Sequence, residues 1–457
     1  MVGVTSYSHY IPRWRLSRQT IASAWGGRPH PGCKAVMNFD EDTVTMAQGA
    51  VWPLCRSGPD ALYFASTTAP YWQRSAAALV AAGCDLPSEV ASSDFGGSLR
   101  CGTAALRSAF DAVAAGSSRQ TLVVASEARD GAPESAEEIS FGDAAAAVGV
   151  GKERVIAELV AFASRSDDFL DEWRRDIDPH VRSLASKFST RRGLQANVVA
   201  LGRDLLARAG IEPKQVTWAA AGSPDCARAL GILSDRWLAP RLDDIGVTGA
   251  AEPLLQLVQA FDRASPGDLI LAIGYGDGAD GFLLRATDEI QSLPRPLLQS
   301  DRAAIECSSY PVYRKLREFL KTRAGGPEIS NVFWEREKAQ NLRLRGIFCP
   351  RCNRLQFPAG RVCAACRNTE GLVEKPLARQ GRVFTFTKDY LYEAPVQPTI
   401  MAALDLEGGG RFLCQMTDVE EQDVKIGMEV ELVLRRMREG PSMHHYYWKC
   451  RPPERNP

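Results

Sequence analysis

Two stretches of the chain carry residue types and spacings that could do chemistry. The first, SDFGGSLRCGTAAL at residues 93–106, runs a short strand-like segment (Val90 to Phe95) into Gly96-Gly97 and then into an alanine-rich helical run. A sharp strand-to-helix turn displays its side chains at a helix N-terminus, where the positive end of the dipole favours a nucleophile's anion. Ser98 and Cys101 are the nucleophilic side chains there. Serine needs a base within hydrogen-bond reach, and the chain has five histidines. His180, in DIDPHVRSL, fits a surface or capping role at least as well as a catalytic one; His444 and His445 beside YYW read as strand residues.

The second stretch, CPRCNRLQFPAGRVCAAC, pairs Cys349 with Cys352 and Cys363 with Cys366, two residues inside each pair. Two such knuckles complete the tetrahedron that Zn²⁺ prefers, and with all four positions filled by protein the metal is expected to be structural. Two redox pairs this close together would be improbable. Between Lys338 and Asn368 there is no Asp or Glu, but there are Arg343, Arg345, Arg351, Arg354, Arg361 and Arg367. These could hold phosphates of coenzyme A or of nucleic acid, or pair with acids of the rest of the chain.

The elements that must position these groups follow from composition and pattern. The chain has 457 residues, 45% hydrophobic and 24% charged, the balance of a globular protein with two or three domains. Lys plus Arg and Asp plus Glu both number 55, so no global field draws it to nucleic acid or an anionic membrane. No stretch approaches the roughly 18 to 20 apolar residues that span a bilayer, and the opening lacks an apolar signal-peptide core. A cytoplasmic protein is expected, with its other eight of 12 cysteines as buried thiols.

Up to about residue 290 the pattern is α/β. TLVVASEARD with SFGDAAAAVGVG, and later DLILAIGYGDGADGFLLRAT, each read as strand, Gly/Asp turn and strand, suggesting duplicated halves at 1–152 and 153–290. Residues 291–345 read as a linker (SLPRPLLQ) and a helical arm (PVYRKLREFLKTRAG), 346–369 as a zinc ribbon, and 370–457 as a small β-barrel of about five strands.

Taken in order, GVTSYSHYIPRWRLSR, DEDTVTMAQGAV (40–51), STTAPYWQRSAAALVAA (66–82), the turn at 93–106, FGDAAAAVGVG (141–151) and GYGDGADGFLLRA (274–286) resemble the thiolase superfamily. Within it they look closest to hydroxymethylglutaryl-CoA synthase and ketoacyl synthase III, over residues 1–290. The remainder resembles the zinc-ribbon/OB-fold domain that accompanies thiolase-like acyl-CoA enzymes, here fused. The resemblance implies a duplicated αβαβα fold, a homodimer, and a tunnel for the pantetheine arm of an acyl-CoA. It also implies Claisen or aldol chemistry through a cysteine, a glutamate, a histidine and an asparagine.

Carried over one at a time, the family cysteine falls on Leu99, the glutamate on Thr67, the histidine on Gly222 and the asparagine on Val247. Cys101 lies two residues from the cysteine position, about 200° around a helix, and a buried thiol is its alternative role. Tyr71 is expected to line the tunnel, where it could act catalytically by orienting or protonating a substrate oxygen or could serve only in packing, and Arg191 and Arg192, with Lys187, could meet the phosphates of CoA or form a solvated face. Three readings follow. The first is an enzyme that makes or breaks a carbon–carbon bond of an acyl-CoA, as an acyltransferase or synthase or, without an acyl-enzyme, as a retro-aldolase. The second is a non-catalytic acyl-CoA-binding subunit beside a sister thiolase, acyl-CoA dehydrogenase or hydratase. The third, disfavoured by the neutral charge, is a nucleic-acid-binding ribbon and barrel.

Overall fold

The computed structural model describes residues 1–28, 30–293, 304–317, 330–392, 394–437 and 443–453. Nine strands form the principal sheet: β1 (Gly3–Tyr10), β2 (Ala61–Ala65), β3 (Ala91–Phe95), β4 (Gln120–Glu127), β5 (Ala144–Gly151), β6 (Ala157–Ser166), β7 (Trp218–Ala221), β8 (Leu269–Tyr275) and β9 (Gly278–Ala286). Their order is β7-β8-β9-β6-β1-β5-β4-β2-β3. The expected duplication is visible in the pairing. β4 and β5 form an antiparallel pair with β2 parallel to β4, and β8 and β9 form an antiparallel pair with β7 parallel to β8. The halves join where Gly3 and Val4 of β1 meet Glu158 and Ala157 of β6.

Helices complete the layers. α1 (Thr43–Val51) and α2 (Ala76–Gly83) cover the outer face of the first half. α3 (Cys101–Ala115) and α6 (Glu252–Arg263) touch strands of both halves and form the central layer, while α4 (Ala196–Ala209) and α5 (Pro224–Leu230) cover the second half. This is the αβαβα arrangement, and three hydrophobic clusters fill its interfaces. Local sequence sets the boundaries: Asp42 caps α1 by accepting from the Val44 and Thr45 amides, and α3 ends at Gly116, whose φ of 79° only glycine adopts freely.

The arm returns to the large domain. Ile305–Glu306 pairs with Trp14–Ser17, and after the helix Tyr310–Leu316 the buried Arg317 guanidinium meets Asp143 at 2.8 Å and Asp130 at 3.2 Å. Most of the SLPRPLLQ linker and the arm beyond residue 317 lie outside the described residues. Among the described residues no helix is long and apolar enough to cross a membrane.

Three short strands, Arg345–Cys349, Arg354–Gln356 and Val373–Pro376, form the cysteine ribbon. β10 (Gln380–Asp389), β11 (Thr399–Leu406), β12 (Arg411–Gln415), β13 (Glu429–Arg436) and β14 (Tyr446–Arg451) then curl into the expected barrel in the order β12-β11-β10-β13-β14. A Met416–Cys450 bridge brings its ends together. His444 and His445 stand just ahead of β14 rather than in it. The His444 ring is held instead by a hydrogen bond with the Pro70 carbonyl at 3.2 Å.

The barrel shares a core with the large domain: Val44, Met46 and Leu79 belong to one cluster with Leu432, Leu434 and Trp448. Through it runs a buried ionic network. Arg435 meets Asp418 at 2.6 Å, Glu41 at 3.1 Å and Asp40 at 3.5 Å; Lys449 meets Asp40 at 2.8 Å, and Arg451 meets Glu431 at 2.8 Å. Tyr446 donates to Asp42 at 2.7 Å. Burial alone would raise the Asp418 carboxyl, but Arg435, Arg451 and Arg13 outweigh it and hold it below the usual carboxylate range. Removing Arg435 leaves three buried carboxylates short of a counter-charge, so Arg435→Met should cost about 3–5 kcal/mol. Urea unfolding checks this, and the shared core predicts that barrel and large domain lose structure in one transition.

Candidate functional site

A cavity of about 460 Å³ opens where five segments converge: the loop after β2, the turn after β3, the segment after β4, the stretch 171–194 and the end of β8. Thr67, Leu99, Arg129, Asp171, Glu172 and Tyr275 are among its lining residues. A larger cleft of about 1090 Å³ lies between β1, α1 and β13, lined by docking residues such as Arg13, Arg435 and Arg451, away from the turn.

The turn displays a side chain, and that side chain is Leu99. Leu99 and Ser98 line the cavity and Cys101 does not. Cys101 is the first residue of α3 and is buried at 3% exposure. Burial, and after it the Glu127 carboxylate, push its thiol well above the ordinary range, overriding the helix N-terminus that would lower it. The Ser98 hydroxyl donates to the Gly276 carbonyl at 3.1 Å and accepts from the Arg100 amide at 3.4 Å; no imidazole is among its partners.

The other expected positions are dispersed. Thr67 lines the cavity and donates to Glu127 at 3.0 Å. Gly222 has a φ of 71° and backs onto Leu194, and Val247 is held by backbone bonds to Ser140 and Gly142. Tyr71, expected along the tunnel, instead engages the barrel domain. Its hydroxyl accepts from the His444 amide at 2.8 Å and from Arg74 at 3.2 Å, and its ring meets that of His444 at 4.8 Å. His180 sits one residue before Val181, which lines the cavity, without lining it itself. Lys187, Arg191 and Arg192 are exposed and flank Thr190 and Leu194 at the rim.

Residues with no motif to mark them organise the floor. Glu127, at the end of β4, is fully buried. It accepts from the Thr67 amide at 3.2 Å, the Thr67 hydroxyl, the Thr68 hydroxyl and the Ala250 amide at 3.3 Å. One carboxylate therefore ties together the loops that follow β2 and precede α6. Arg129 meets Glu172 at 2.5 Å and lies over the Phe141 ring. Asp178 clasps Arg175 and Arg182, each at 2.8 Å, and fixes the stretch that walls the cavity. That stretch enters α4 through a π-helical turn, Ser189–Gln195, a geometry frequent at functional sites. Only position within the fold distinguishes these residues. Glu127 ends the quoted TLVVASE strand and Tyr275 lies in the quoted GYGDG, while Asp171 sits in an unremarkable polar run.

The ribbon brings its four thiols together as spacing predicts. Cys349 and Cys366 sulfurs are 3.6 Å apart, as are those of Cys352 and Cys363, and all four lie within 4.8 Å of one another. A tetrahedral ion with metal–sulfur bonds of about 2.3 Å needs sulfurs about 3.8 Å apart, so the donor set fits. Arg343 and Arg345 pair with Asp85 of the large domain at 3.2 and 2.9 Å, whereas Arg351, Arg354, Arg361 and Arg367 are exposed.

Comparison with known proteins gives a consistent picture. Residues 374–435 match the family model of the ChsH2 C-terminal OB-fold domain. The hydroxymethylglutaryl-CoA synthase of Methanopyrus kandleri is 28% identical over 348 residues, covering 70% of this chain and 98% of that protein. The Methanocaldococcus jannaschii synthase is 28% identical over 347 residues, 70% of this chain and 100% of its own. Among solved structures, MvaS in complex with 3-hydroxy-3-methylglutaryl coenzyme A superposes with a TM-score of 0.61 at 20% identity, covering 72% of this chain and 94% of that one. The 3-oxoacyl-[acyl-carrier-protein] synthase III of Aquifex aeolicus does so at 0.55 and 20%, covering 62% and 100%.

Truncating Glu127 would leave the Thr67 and Thr68 hydroxyls and two amides without their acceptor. Glu127→Ala should cost about 3 kcal/mol, read as a lowered urea midpoint, with Glu127→Gln recovering part of the loss.

Proposed function

We propose, for a chain that joins a hydroxymethylglutaryl-CoA synthase-like large domain of thiolase fold to an OB-fold domain, that it makes or breaks a carbon–carbon bond of an acyl-CoA by acid–base chemistry, with no acyl-enzyme. The observation that carries this reading is the exchange at the turn: Leu99 faces the cavity, and the neighbouring Cys101 thiol is buried and held protonated. An aldol or retro-aldol reaction needs no nucleophile. A base moves the proton of a β-hydroxyl or an α-carbon, and fixed dipoles hold the thioester enolate. Coenzyme A as the carrier is supported by the synthase relatives and by neighbours bound to CoA and 3-hydroxy-3-methylglutaryl coenzyme A. Arg191 and Arg192 on the rim offer guanidinium forks for its phosphates.

The four ribbon thiolates are suited to one structural Zn²⁺, which would hold the knuckles together and take no part in the reaction. A homodimer is supported by β3, a sheet-edge strand whose residues 91–94 are exposed, a liability that a second copy would cover.

Two measurements test these assignments. Intact-protein mass spectrometry after incubation with acetyl-CoA and longer acyl-CoAs should show no adduct, while β-hydroxyacyl-CoAs are cleaved or formed. An adduct that disappears in Cys101→Ala would overturn the non-covalent reading, and binding of CoA esters without turnover would make the chain a non-catalytic subunit. Elemental analysis should find one zinc per chain, and a chelator should lower the melting temperature.

A further inference from the structure

Resting on that reading, we infer that Tyr275, with Asp171 beside it in the cavity lining, is the proton-transfer group of the cavity. Four observations place it there. Both side chains line the cavity, and among its neighbours the Asp171 carboxylate acts most strongly on the phenol. The turn that carries Tyr275 abuts the turn that carries Leu99: Ser98 donates to the Gly276 carbonyl, and a side chain built on Gly276 would lie 3.0 Å from Leu99 Cβ. Tyr275 therefore stands beside the position from which the family's cysteine would act. Next, Asp277 is held at a φ of 47° between Gly276 and Gly278, a strained conformation of the kind that clusters at working sites. Finally, the phenol fits against Gly193 of the π-helical turn, where a Cβ would come within 2.0 Å of the Tyr275 oxygen. Glycine there is the condition for the tyrosine being where it is.

The surroundings define what the pair can do. The charges that act on the phenol are Asp171, Asp167 and Asp277, and burial followed by these carboxylates raises its pKa well above the ordinary value. Asn197 donates to Asp167 at 2.6 Å and holds that carboxylate in place. Tyr275 stays a neutral phenol at physiological pH and works as a relay: its oxygen accepts the proton of the substrate's β-hydroxyl as its own proton passes to Asp171. The hydroxyl's bonding pair becomes the carbonyl of the departing aldehyde or ketone, and the pair of the broken carbon–carbon bond becomes the thioester enolate. Returning the proton from Asp171 through Tyr275 to the α-carbon gives the acyl-CoA and restores the pair, so protons and electrons balance with no other reactant. The ligand class is thus a β-hydroxyacyl-CoA whose hydroxyl lies between Leu99 and Tyr275.

The test compares the full-length protein with its Tyr275→Phe and Asp171→Asn variants, over the β-hydroxyacyl-CoA panel and in D₂O with the corresponding acyl-CoA. Tyr275→Phe should bind CoA esters with unchanged affinity yet lose at least about 100-fold in turnover and in deuterium uptake at the α-carbon. Asp171→Asn should lower kcat with KM nearly unchanged, a split that a purely structural contact would not give, and it serves where Tyr275→Phe folds poorly. An active wild type with both variants within a few-fold would overturn the relay and leave the proposed function standing. A wild type that binds CoA esters but neither turns over nor exchanges would overturn both.

Discussion

Everything beyond the large domain depends on charges taken out of water at its junction with the barrel. Asp40, Glu41, Asp418 and Glu431 face Arg13, Arg435, Lys449 and Arg451, four acids against four bases, nearly all buried. Such a network contributes little net stability because desolvation consumes the Coulombic gain. Its effect is on register: a barrel rotated or shifted on the shared apolar core would strand at least one ion in a dry interface. Apolar burial supplies the attraction and the ions select one pose. The acidic run preceding α1 therefore has two tasks, since Asp42 caps the helix with one oxygen and accepts from Tyr446 with the other.

That pose reaches the cavity through a single loop. Thr67 and Thr68 are anchored on Glu127 at one end, and Tyr71 is gripped by His444 and Arg74 at the other. The barrel thus braces one wall of the cavity without contributing to its lining. The ribbon adds a second brace, because Arg343 and Arg345 share Asp85 just after α2. Two of the six ribbon arginines are consumed in holding the domains together, which explains their position better than any phosphate does.

Much of this was legible in the sequence, for identifiable reasons. Cysteine spacing defines the ribbon because two residues between thiols leave the chain one compact way to turn, and the strand-turn-strand repeats mark the duplication because each half must bury an identical kind of strand pair. That Leu99 stands at the displayed position of the turn was also readable, by counting back from Gly102, and Leu99 lines the cavity where Cys101 does not. Tyr71 was not: Pro70-Tyr71 looks like a tunnel motif, and its partner His444 lies more than three hundred residues away. Glu127, Asp171 and Tyr275 escaped for a related reason. They come from β4, a polar run and β8, and nothing linear shows that folding brings their segments to one cavity. Asp40 and Glu41 read as part of a family signature, whereas their partners lie about four hundred residues away.

The two halves of the large domain differ in what remains of their chemistry. In the first, a helix N-terminus that could lower a thiol pKa is present at Cys101, but the sulfur is dry and faces a carboxylate; each pKa unit of upward shift removes about 1.4 kcal/mol from the thiolate. The dipole's contribution is about 1 kcal/mol at most near a surface, and burial beside Glu127 wins. In the second half the strand end at β8 carries a phenol against carboxylates, with a π-helical turn opened by Gly193 to admit it. The first half therefore presents Leu99 to the cavity and keeps its nearest thiol dry, while the second presents the Tyr275 phenol to the same cavity. On the reading proposed above, such a cavity would move a proton and store no acyl group.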